Sequence, residues 1–230
     1  MIGHSSWKTR VAFVAVALVG LPGRTLLAVP GQRIARVEVG GGRAVMDVIG
    51  EVNNLAATPD APLGSSEQFG YVSHLEGVGS IFTDADPANQ NESTALLTFV
   101  TEVKTIRVTP HGPFSIVIRE GTTTFYRTRV PASFSAPESF RTGDVVVTSS
   151  IRQQVIVDTV AKTFTVVNVN TIASTVPFEA NDDLVRIGAP GDVMRTSLVG
   201  VLRSRDGTPP PTGHFAGSSV GVRGNPSDVQ

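Results

Sequence analysis

Apolar residues recur at every second position along most of this chain, and no stretch beyond residue 28 sustains a 3.6-residue period. That constrains the fold more than any other feature, because side chains on successive strand residues point to opposite faces of a sheet. The runs are "RIARVEV", "RAVMDVIGEV", "QFGYVSHLE", "GVGSIFT", "TALLTFVTEVKTIRVT", "PFSIVIR", "TTTFYRTRV", "DVVVTSSIRQQVIVDT", "KTFTVVNVNTIAST" and "DVMRTSLVGVLRS". With 17% charged residues and 40% hydrophobic ones, the chain is far from the composition that stays unfolded.

Consecutive strands with short turns and no crossover helices indicate an antiparallel all-β domain. Three turns are expected: Gly40-Gly41-Gly42 in a first hairpin, Glu120-Gly121 after "PFSIVIR", and Val160-Ala161 in a long later hairpin. Residues 54–67, 84–93 and 131–143 read as loops.

The choice between barrel and sandwich rests on phase. In residues 94–109, Leu97 and Phe99 share one face while Ile106 and Val108 share the other. In 162–175, Phe164 and Val166 have one parity, and Val167 and Val169 the other. A one-residue slip of phase is the mark of a β-bulge, and long bulged strands curl until a sheet closes. The expected fold is therefore an antiparallel β-barrel or strongly coiled sheet, with a β-sandwich as the alternative.

Three segments are expected. Residues 1–28 have the order of a secretory signal: Lys8 and Arg10, the apolar run Val11–Leu21, then a cleavable end near Ala28. Eleven apolar residues span only about half of a ~30 Å hydrocarbon core, so no stable membrane span is expected in the mature chain. Residues 29–205 form the all-β domain. Residues 206–230, "DGTPPPTGHFAGSSVGVRGNPSDVQ", are expected to be a disordered tail rich in Pro, Gly and Ser.

Residues 1–28 hold three basic residues and no acid. Cleavage takes the 19 basic residues to 16 against 20 acidic ones, a net charge of −4. Without clustered cations to displace counterions, no nucleic-acid partner is expected. With no cysteine at all, thiolate chemistry, disulfides and Cys-bound metals are excluded.

Few residues offer chemistry. His74 and Glu76, at i and i+2 on a strand, share a face and could act as a base with its orienting carboxylate. The plainer reading is a half-exposed pair. Asn168 and Asn170 interrupt a valine run; they are read as a solvent-facing edge, or alternatively as amides that orient a ligand inside a barrel. Arg127 and Arg129 share a strand face, with Arg119 expected across the Glu120-Gly121 turn, a group that could clamp an anion or line a wet surface. "DADPANQNE" (84–92) only faintly echoes a calcium loop, and Asn91-Glu92-Ser93 fits a glycosylation sequon. No metal or cofactor is expected. The leading functional reading is an exported, non-enzymatic barrel that binds a small, largely apolar ligand. The alternatives are an extracellular structural or interaction protein, and a cofactor-free isomerase or cyclase using His74 and Glu76.

Overall fold

A computed structural model describes residues 34–39, 41–181, 183–205 and 208–222. The expected signal segment, with its cleavage site near Ala28, lies outside the described residues.

Eight strands form a closed antiparallel barrel. In chain order the strands are β1 (Ile34–Val37), β2 (Ala44–Leu55), β3 (Ser65–Leu75), β4 (Leu97–His111), β5 (Phe114–Thr128), β6 (Gly143–Asp158), β7 (Thr163–Thr175), β8 (Phe178–Ala180), β9 (Asp183–Ile187), β10 (Val193–Arg205) and β11 (Thr208–Val222). Around the barrel the order is β2-β3-β4-β5-β6-β7-β10-β11, closing from β11 back to β2. Closure leaves no unpaired edge in the barrel. The sandwich alternative is excluded.

Bulges occur where strands must bend. The phase slip in 94–109 is a bulge, with Ile106 as the extra residue between Thr105 and Arg107. The slip expected at Val166-Val167 is absent. There β7 pairs with β10 in unbroken register, and Phe164, Val166, Asn168, Asn170 and Ile172 all point inward.

Four further expectations are corrected. Residues 34–39 and 43–52 do not form a hairpin, because β1 pairs in parallel with β9 in a separate three-stranded sheet, β1-β9-β8. "GVGSIFT" lies in an irregular segment whose regular pairing is one bridge, Phe82 to Ala95. No turn occurs at Glu120-Gly121: β5 runs straight through, and chain reversal falls at Gly112-Pro113. Gly121 is needed instead for close packing, since a Cβ there would collide with the Glu102 carbonyl.

The fourth correction is the largest. Residues 208–222 of the expected disordered tail form β11, paired to β10 and β2. Its inward positions are Gly213, Phe215, Gly217, Ser219 and Gly221, so it offers little apolar surface of its own. Phe215 fills the lumen against facing Phe99, and ladder bonds on both sides supply the rest. The three prolines fall where the β10 ladder skips between Arg203 and Arg205, a place where a missing N–H costs little.

One end of the barrel is packed shut. Val37, Phe178, Val185 and Ile187 of the small sheet, with Val78, Ile81 and Phe82, join Met46, Val72, Leu97, Ile172 and Met194 of the barrel in one buried cluster. Each such side chain removed from water contributes about 1.5–3 kcal/mol. A second cluster lies outside the wall: Phe134 and Phe140, from the β5–β6 connection, cover Phe69 and Val100. The other barrel end, carrying the 56–64, 112–113 and 159–162 connections, is less filled, and the site lies there.

Candidate functional site

A cavity of about 260 Å³ occupies this end of the barrel. Its walls are largely apolar, built from Val52, Val155, Val157, Phe164, Val166, Leu198, Leu202 and Phe215. Leu55 and Leu63 at the rim are 49% and 51% exposed, so the cavity opens to solvent here. Two rings set its shape. Phe215 lies over Gly50, where a Cβ would come within 2.7 Å of its Cζ and 2.6 Å of the Phe69 carbonyl oxygen. Phe164 lies likewise over Gly200 and Gly213. Missing side chains on the wall strands thus give the rings their places.

The cavity floor is polar. Gln68 and Gln153 exchange two amide hydrogen bonds of 3.1 and 3.2 Å, and Gln153 Nε2 also donates to Asn168 Oδ1 at 3.0 Å. Arg119 enters this belt from β5. Its Nη2 donates to Asn54 Oδ1 at 2.7 Å, and its Nη1 donates to Ser66 Oγ at 3.1 Å and to Gln153 Oε1 at 3.5 Å. Such belts are stable only when most of their donors and acceptors meet. Below them, Asn170 Nδ2 donates to Thr196 Oγ1 at 3.3 Å, and Thr196 and Ser219 share a 2.8 Å bond. A pocket of about 30 Å³ lies at this level, beside Asn170 and Thr196.

Asn168 and Asn170 therefore line the lumen, 6% and 5% exposed, and the solvent-edge reading is overturned. Their phase was disguised because the outward residues beside them, Val167 and Val169, are apolar. Asn168 touches the cavity floor through Gln153, whereas Asn170 lines the smaller pocket.

The three arginines do not cluster. Arg119 points inward. Arg127 Nε donates to the Glu179 carbonyl at 2.6 Å, tying β5 to β8, and burial lowers its pKa. Arg129 forms a forked pair with Asp144 on the outer surface, at 2.6–3.1 Å. The grouping failed because β5 continues where a turn was expected, which carries Arg119 far from the other two.

His74 Nε2 and Glu76 Oε2 approach to 3.5 Å, with side chains 53% and 60% exposed. They line neither cavity. His214 sits on β11 with Nδ1 3.0 Å from Glu51 Oε1. Asp84 and Asp86 bond to backbone and amide N–H groups of their own loop. Among the described residues no group of three His, Asp or Glu side chains could hold a metal ion. No helix among them is long and apolar enough to cross a membrane.

Arg119, Gln153, Gln68 and Asn54 were not singled out as one site from the sequence. A signal existed: Gln153 is the polar member of the inward series Ile151, Gln153, Val155, Val157. On β5, Ser115, Val117 and Arg119 face the lumen, whereas Phe114, Ile116 and Ile118 share the outer face.

Comparison with known proteins matches no family model, no curated protein and no solved structure.

Proposed function

We propose that the protein binds a small, largely apolar molecule in the barrel lumen. The observation that carries this reading is the 260 Å³ cavity with aliphatic and aromatic walls and one polar floor. An apolar cavity of about 150 Å³ in a protein core takes up benzene, so this one suits roughly ten non-hydrogen atoms. A concave apolar site with a few convergent polar groups is the usual form of a small-molecule pocket. Among the cavity-lining residues the sole ionisable side chain is Arg119, which favours holding a ligand over proton transfer. A reaction using His74 and Glu76 would run on the outer surface, without the shielding an isomerase or cyclase needs.

The test is calorimetric titration of the full chain with 1-octanol, a neutral probe of matching size. Saturable one-to-one binding that Val166→Trp abolishes is expected, because the indole fills the cavity. No binding, or binding unchanged in a folded Val166→Trp protein, overturns the reading.

We further propose that residues 1–28 direct export and are removed near Ala28. The supporting pattern is the basic, apolar and cleavable order of that segment. The intact mass of the protein recovered outside the cytoplasm of an exporting host tests it. Loss of the first 28 or so residues is expected, and a full-length chain retained inside overturns it.

A further inference from the structure

The guanidinium of Arg119 sits at the cavity floor with no carboxylate beside it. Every acceptor it meets is a neutral oxygen, from Asn54, Ser66 or Gln153. Its Nε is buried and has no acceptor. The glutamates of strands β2 to β5 lie on outward positions: Glu51 beside His214, Glu67 and Glu102 beside Arg141, and Glu120 exposed on β5. No salt bridge among the described residues includes Arg119, whereas on the outer surface Arg129 has one and Arg141 two.

A cation taken out of water is ordinarily matched by an anion, because neutral dipoles replace only part of its lost hydration. Burial alone lowers the Arg119 pKa to about 10, with no neighbouring charge contributing. The group nevertheless remains protonated at neutral pH. It is held at the junction of a polar floor and apolar walls, on the lining of the 260 Å³ cavity.

We propose that the cavity's natural occupant is a monoanionic amphiphile: an apolar body of roughly ten non-hydrogen atoms that ends in one carboxylate directed at Arg119. This rests on the reading of the lumen as a small-molecule site and adds the chemical class. A planar carboxylate matches the guanidinium fork, and its single charge neutralises the single cation. A dianion would leave one charge unmatched among valines and leucines. The apolar body then lies along Val155, Val166, Phe164 and Leu198 towards the rim.

The experiment compares octanoate with 1-octanol on the full chain, and then on Arg119→Met. These probes share the hydrocarbon body and differ in the charged end. Octanoate is expected to bind wild-type protein about tenfold or more tightly than 1-octanol, as charge-assisted hydrogen bonds are stronger than neutral ones. Arg119→Met is expected to erase that preference. Equal binding of the two probes to wild-type protein overturns the anion assignment and leaves the apolar pocket standing. A preference that persists in Arg119→Met overturns the role of Arg119. Failure of both probes to bind overturns the pocket itself. The wild-type comparison decides the matter even where Arg119→Met fails to fold.

Discussion

Arg119 shows how one residue can be retained against stability. Its guanidinium has been moved from water to a floor of neutral amides, so the empty barrel carries a desolvation cost. The sign against pH follows from the direction of the shift. The folded pKa, about 10, lies below the ordinary arginine value, so the unfolded chain holds the proton more firmly. The destabilisation is therefore fully present at any pH below about 10 and is relieved only as pH rises from there towards the ordinary arginine value. Between pH 6 and 9 this group is expected to contribute no slope, and thermal melts across that window check it. Arg119→Met is expected to raise the melting temperature of the ligand-free protein by a few degrees, about 1–2 kcal/mol at 2–4 °C each. A large fall instead would mean that its hydrogen bonds to Asn54 and Ser66 outweigh the buried charge. Gly50 makes the opposite case. A methyl group there meets the Phe69 carbonyl at 2.6 Å and the Phe215 ring at 2.7 Å, on two sides. Gly50→Ala is expected to cost about 1–3 kcal/mol, read from the shift of a urea midpoint.

At the scale of elements, legibility followed how much apolar pattern each strand carries by itself. The β6–β7 hairpin was plain, since Ile151, Val155, Phe164 and Val166 alternate cleanly and the turn falls at 159–162, where Lys162 adopts a φ of 58°. The bulge at Ile106 was legible as a slip of phase. β11 was not, because a strand whose inward face is Gly, Phe, Gly, Ser and Gly takes its stability from neighbours rather than from its own side chains. In β5, apolar side chains on both faces concealed which parity faced the lumen, and the turn expected at Glu120-Gly121 grouped Arg119 with Arg127 and Arg129. β11 nevertheless has a definite energetic role. A chain ending at residue 207 loses both ladders to β10 and β2 and exposes two long edges. Such a truncation is expected to abolish cooperative unfolding and to aggregate. Size-exclusion chromatography with circular dichroism reads the outcome; a monomeric, cooperatively melting product would show that β11 is dispensable.

For the whole molecule, closure of the sheet and closure of one end produce the cavity together. An eight-stranded barrel is wide enough either to be filled by its own side chains or to hold one small ligand. Here the end beneath the small sheet is filled, and the end bearing the 56–64 connection keeps about 260 Å³. The all-β class, the barrel and the bulge at Ile106 were readable from alternation and phase, whereas the slip read at Val166-Val167 was not there. The site was not, because its four principal polar residues lie on four strands, β2, β3, β5 and β6, and meet only when the barrel closes. The most direct test of the lumen as a binding site is the map of backbone amide shifts in ¹⁵N-labelled protein titrated with 1-octanol. The account predicts changes that saturate and concentrate at Val52, Val155, Val166 and Leu198, while Met46, Leu97 and Ile172 at the filled end stay still. Changes confined to the outer face, at residues such as Ile49, Val199 and Val201, would contradict it.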